Sequence, residues 1–107
     1  MKHKIPHDLD IGLARRATRA ALEGYRKQFP QFSPGGTWTD DDNASVWFVT
    51  PVGRIEGTIT VMAKAVQLHL TKLPWAARPF RRQAVKIVED EVNHWIKKAK
   101  NGKLPAE

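Results

Sequence analysis

Histidines, a run of aspartates and a Glu-Asp-Glu triplet are the residues through which this 107-residue sequence could do proton or metal chemistry. His3, His7, His69 and His94 do not repeat at the short spacings that zinc ligands share, so each reads as a surface or capping residue. Asp40-Asp41-Asp42-Asn43 offers oxygen donors for a hard cation. It lacks the alternating acids and terminal glutamate of a calcium loop, and reads instead as a solvated turn whose side chains bond their own backbone. Glu89-Asp90-Glu91 falls on a helical stretch, where adjacent side chains point about 100° apart. Such carboxylates do not converge on one atom for acid–base work, and a solvated face is expected. The only serines, Ser33 and Ser45, lie outside any G-x-S-x-G elbow. There is no cysteine, hence no thiol nucleophile and no disulfide. No glycine-rich phosphate loop occurs. The sequence therefore predicts a protein that is not an enzyme, with no metal and no cofactor.

What remains is basic and aromatic. The net charge is +7 and the pI about 10.1. Residues 1–36 carry +4, residues 37–74 carry −1 and residues 75–107 carry +4. The positive charge thus belongs to the two segments with helical spacing, and favours polyanions or anionic surfaces as partners. Arg15, Arg16, Arg19 and Arg26 lie mostly off the apolar stripe of the first of these and are candidate polyanion contacts. Trp38, Trp47, Trp75 and Trp95, with Arg54 or Arg78 near in sequence, could stack single-stranded bases, but they are scattered through the chain. Trp95 falls on an apolar helix stripe and reads as core. Trp75, between Pro74 and Ala76-Ala77, reads equally as a core cap and as an aromatic presented to an apolar surface. With Phe80, Arg78, Arg81 and Arg82 it forms the candidate surface for a partner.

The elements that must position these residues follow from periodicity. Lys2 to Ile5 suits an edge strand before Pro6. Asp8 or Asp10 can cap a first helix whose stripe is Ala14, Ala17, Ala21, Leu22, Tyr25 and Phe29. Gly24 inside it costs up to about 1 kcal/mol relative to alanine, and a tight packing contact is the usual reason. Phe32 to Gly36 is a breaker cluster, followed by a short strand at Thr37–Thr39. Ala44 to Thr50 puts Val46 and Phe48 on one face and Trp47 and Val49 on the other, which predicts partial cover on both sides. Two alternating segments, Ile55–Met62 and Val66–Thr71, form a central hairpin. A second helix is expected from Pro79 to Ala99, with its stripe on Ala84, Val85, Val88, Val92, Trp95, Ile96 and Ala99.

The order is β-α-β-β-β-β-α. It predicts an α+β fold: one curved antiparallel sheet with two helices packed on one face. The length suits a single domain over residues 1–107, with residues 1–2 and 100–107 as loose ends. An apolar seam is expected between the second helix and the sheet. No apolar run is long enough to span a bilayer and no signal peptide is visible, so a bacterial cytoplasmic protein is expected.

Several motifs then carry a resemblance. Ile5-Pro6-His7 with Leu9, Ala14-Arg15-Arg16, Gly57 with Ile59 and Val61, Leu73-Pro74 and Arg78-Pro79-Phe80 resemble the polyhydroxyalkanoic acid system proteins. The resemblance runs from about residue 3 to 98, and Arg78-Pro79-Phe80 is its most specific part. Residues 29–43 and the tail after Ala99 look additional to that pattern. The resemblance implies association with polyhydroxyalkanoate storage granules, at their surface or through their proteins, and brings no catalytic residues. Two alternatives stand beside it. One is a nucleic-acid- or ribosome-binding module using the arginines of the first helix. The other is a carrier of an apolar or hydroxyacyl ligand held in the seam. A homo-oligomer is compatible with all three.

Overall fold

The computed structural model describes residues 2–28 and 30–104. Met1, the stripe residue Phe29 and residues 105–107 lie outside the described residues. Strand β1 (Lys2–Pro6) leads into α1 (Ile11–Gln28) and a 3-10 turn (Pro30–Phe32). Then come β2 (Gly35–Trp38), β3 (Asn43–Thr50), β4 (Gly53–Val61), β5 (Ala65–Lys72), a second 3-10 turn (Trp75–Phe80) and α2 (Arg81–Lys100). The sheet order is β1-β5-β4-β3-β2, with every neighbouring pair antiparallel. The first strand thus closes one edge beside the last. The α+β reading holds: a five-stranded antiparallel sheet and two helices.

Alternation decides which face meets the helices. Ile5, Val66, Leu68, Ile59, Val61, Ala44 and Val46 share the core with Ala14, Ala17, Ala21 and Leu22 of α1 and Val88, Val92 and Ile96 of α2. Complete burial of a side chain such as Ile59 contributes about 1.5–3 kcal/mol. The alanines let α1 lie close. Thr18, buried among them, satisfies its hydroxyl by donating to the Ala14 carbonyl at 2.8 Å. Between Glu56 and Gly57 the β4–β5 register shifts by one residue. Such a bulge bends the strand and increases its twist.

Asp10 is the cap of α1, accepting the Leu13 N–H at 3.0 Å. Gly24 also finds its reason. A Cβ there would stand 2.6 Å from Glu91 Oε1 and 3.2 Å from Trp95 Nε1, so the glycine admits two α2 side chains against the α1 backbone.

Three expectations need correction. Helix α2 begins at Arg81, not Pro79, because Trp75–Phe80 first winds a 3-10 turn that contains Pro79. Strand β2 starts inside the breaker cluster, at Gly35, where a Cβ would collide with the Trp47 indole. Glu91 is not on a solvated face but buried. The outer face of strand β3 is partly covered, with Trp47 over Gly35 and beneath Arg54 and Val49 exposed. Lys2 opens β1, and α2 is closed by Gly102 at φ +69° with Lys103 N–H donating to the Lys98 carbonyl. Leu104 packs against the core.

Candidate functional site

Leu73-Pro74 ends the last strand, since proline cannot donate to a ladder. The Pro74 carbonyl then accepts the Ala77 N–H at 2.9 Å, which starts the 3-10 turn. Ala77 is fully buried and pins that turn to the core. With the backbone so fixed, Trp75 points outward and is 81% exposed. The sequence left its role open; the structure presents it to solvent.

Arg78, Arg81 and Arg82 surround this turn and are exposed, while Phe80 is half-buried. Among the described residues, none of the three arginines has an ion-pair partner. Arg81 and Arg82 also occupy the first turn of α2, which has no acidic residue and no side-chain cap. The helix dipole disfavours cations there, so their charge is compensated neither by carboxylates nor by the helix.

A second loop joins them from a distance in sequence. The β3–β4 turn is held by Thr50, whose hydroxyl donates to the Gly53 carbonyl at 2.8 Å and accepts the Val52 N–H at 3.3 Å. Gly53 adopts φ +140°, and a Cβ on it would stand 2.9 Å from Pro74 Cγ. The turn therefore leans on the residue before Trp75. Val49 and Val52, 44% and 42% exposed, come with it. The result is an end of the molecule with Trp75, Val49 and Val52 as its apolar part. Its basic part is Arg54, Lys72, Arg78, Arg81 and Arg82. Glu56 lies among these cations, 3.7 Å from Arg54 Nε and 3.6 Å from Lys72 Nζ. The valines and Lys72 are site residues that sequence reasoning missed, and Arg54 was seen only as a partner for base stacking. Their one visible signal was an apolar Pro51-Val52 in a turn.

The candidate polyanion residues are divided by the fold. Arg15 is committed to Asp42, with Nε at 2.6 Å and a second guanidinium nitrogen at 3.3 Å. Arg16 is half-buried on the same helix. Arg19 and Arg26 are brought together along a groove of about 350 Å³ between α1 and the edge strand β2. There Arg19 lies over Trp38 at 5.2 Å, and Arg26 pairs with Glu23 at 3.5 Å. Asp40 accepts the Asp42 and Asn43 N–H groups, both at 2.8 Å, as a self-bonded turn should. Those bonds hold its carboxyl below the usual range.

The seam between helices and sheet is nearly filled. Its cavity measures about 20 Å³, room for one water, among Tyr25, Val46, Ile55, Leu70, Ala84 and Val88. A ligand-sized space, the motive for a carrier, is not open in this conformation. Burial pushes the Tyr25 hydroxyl up. Glu91 borders the same seam, with Oε1 lacking a hydrogen bond, as does the buried Trp95 Nε1. Burial raises the Glu91 carboxyl, against a smaller lowering by His94. Its position on the Ala84–Val88–Trp95 stripe was the sequence signal for this burial. No three His, Cys, Asp or Glu side chains among the described residues could hold a metal ion.

Fold and site together define a two-layer α+β protein with an apolar, cationic pole and, among the described residues, no cluster of side chains that could hold a metal ion. The family model described as "Putative polyhydroxyalkanoic acid system protein" matches residues 2–96, and the chain belongs to that family. No curated protein and no solved structure matches the chain. No helix among the described residues is long and apolar enough to cross a membrane.

Proposed function

We propose that this protein is a non-enzymatic component of the polyhydroxyalkanoate system that sits on the storage granule and docks through the Trp75 pole. The observation that carries this reading is Trp75 itself, 81% exposed and flanked by arginines that have no carboxylate partner among the described residues. An isolated exposed apolar residue needs no explanation, but a tryptophan, two valines and a ring of cations gathered from two loops form a surface suited to contact. The family membership supplies the cellular context. Cytoplasmic location on granules follows from the same reading. The test is co-sedimentation of purified protein with polyhydroxyalkanoate granules, at low and moderate salt, with competing RNA present. Retention is expected, and Trp75→Ala should lower it. Release into the supernatant with RNA bound would overturn the reading.

A nucleic-acid interface is the second reading, favoured by one observation: Arg19 stacked on Trp38 beside Arg26 in the α1–β2 groove. Binding there would fall steeply with salt and be lost in Arg19→Glu. The Trp75 pole would then be dispensable.

A further inference from the structure

We infer that the partner at the Trp75 pole is an anionic lipid surface. Trp75 and Val52 enter its headgroup region, and Arg78, Arg81 and Arg82 bind its phosphates. This rests on the reading of that pole as the docking surface, and it names the chemistry of what is docked to.

Two loops are locked together by the contact of the Gly53 position with Pro74 and by buried Ala77, so the apolar tip is presented on a rigid base. That tip is small: one indole and two valines at 44% and 42% exposure. An apolar contact this shallow holds weakly unless charge attraction adds to it, and each cation near an anionic bilayer strengthens binding by about fivefold. Arg78, Arg81 and Arg82, with Arg54 and Lys72 on either side of Glu56, supply that attraction. Arginine suits the task, because its planar fork pairs bidentately with phosphate while its stem lies along apolar surface. Tryptophan prefers the zone where apolar and wet regions meet. An uncharged polyester offers nothing anionic to the three unpaired guanidinium groups. Single-stranded RNA offers Trp75 a base to stack on, but leaves Val49 and Val52 without an apolar partner. A lipid headgroup layer accommodates all of these at once.

The test uses the full chain and sucrose-loaded vesicles, either pure phosphatidylcholine or containing a third phosphatidylglycerol. Sedimentation measures binding, and brominated lipid reports insertion by quenching tryptophan fluorescence. Binding should be at least roughly tenfold stronger on the anionic vesicles and should weaken with salt. Joint replacement of Arg78, Arg81 and Arg82 by glutamate should reduce it by about a hundredfold or more, while replacement by lysine should retain most of it. Brominated-lipid quenching should fall sharply in Trp75→Phe, leaving only the part that Trp47, half-buried beneath Arg54, contributes. Thermal unfolding of each variant keeps a folding defect distinct from a binding defect. Equal binding to both vesicles, or quenching undiminished in Trp75→Phe, overturns the inference. Binding to granules without binding to vesicles leaves the granule reading standing and rejects lipid as the partner. Binding to vesicles without binding to granules does the reverse.

Discussion

The two ends of this molecule treat charge in opposite ways. At the end where β1 meets α1, the charged and polar groups are paired. His7 is buried, its Nε2 donating to the Met62 carbonyl at 2.9 Å and its Nδ1 accepting the Leu9 N–H at 3.2 Å. The His7 N–H donates to the Lys64 carbonyl, Lys100 reaches Asp8 at 3.0 Å, and Arg15 grips Asp42. These bonds tie the β1–α1 loop, the β4–β5 turn, the β2–β3 turn and the end of α2 into one cap. At the other end Thr50 holds its turn, Gly53 rests on Pro74, Ala77 is buried, and Glu56 meets Arg54 and Lys72, while Trp75, Arg78, Arg81 and Arg82 are exposed. Pairing spends charges on the fold; leaving arginines and an indole unpaired keeps them available. The comparison teaches that exposure at the Trp75 end is not a general looseness of this small protein, since the opposite end shows how the same residue types are satisfied when they serve the structure.

The comparison can be broken first at His7. His7→Ala leaves the Leu9 N–H and the Met62 carbonyl without their partner, and should lower stability by about 2–3 kcal/mol. Urea unfolding measures this, and granule binding per folded molecule should not change. Trp75→Ala is the mirror case. Binding should drop roughly tenfold, or about 1.4 kcal/mol, while the unfolding midpoint moves by no more than about 0.5 kcal/mol. A Trp75→Ala protein that unfolds easily would show that the indole belongs to the core after all.

Between these lies Glu91, which belongs to neither end. Its raised carboxyl means the folded chain keeps a proton that the unfolded chain has released, so stability falls as pH climbs from about 4.5 through the folded value. Glu91→Met should add about 1 kcal/mol and flatten that slope, read from unfolding midpoints across pH. Asp42→Ala should cost about 0.5–1 kcal/mol, because a half-exposed pair is screened by water. Asp8→Asn should matter least, and its sign is opposite to that of Glu91. Lys100 holds the Asp8 carboxyl below its ordinary value. What Asp8 contributes is present above that ordinary value and disappears as pH falls through the lowered one. Acid titration followed by circular dichroism distinguishes the two.

Much of the architecture was legible in order. The strands of the central hairpin, the stripe of each helix, the Asp10 cap and the Asp40 turn were all readable from local spacing, because each is a contact among near neighbours. Boundaries failed where a distant side chain set them. Gly35-Gly36 looked like a break until Trp47 needed the space. Pro79 looked like a helix start until Trp75–Phe80 wound more tightly before it. Glu91 looked solvated because its neighbours Glu89 and Asp90 are charged, although it lies on the apolar stripe.

The sequence by itself determined the antiparallel α+β plan, the basic helices and the absence of any thiol chemistry, since periodicity and composition need no knowledge of distant contacts. Only the tertiary structure decided which arginines are spent and which are free. Arg15 meets Asp42 across 27 residues of chain, and Arg19 and Arg26 open onto a groove with Trp38. The tertiary structure also decided the role of Trp75. A buried Ala77 and a hairpin resting on Pro74 turn that side chain outward, and neither contact leaves a trace in local spacing.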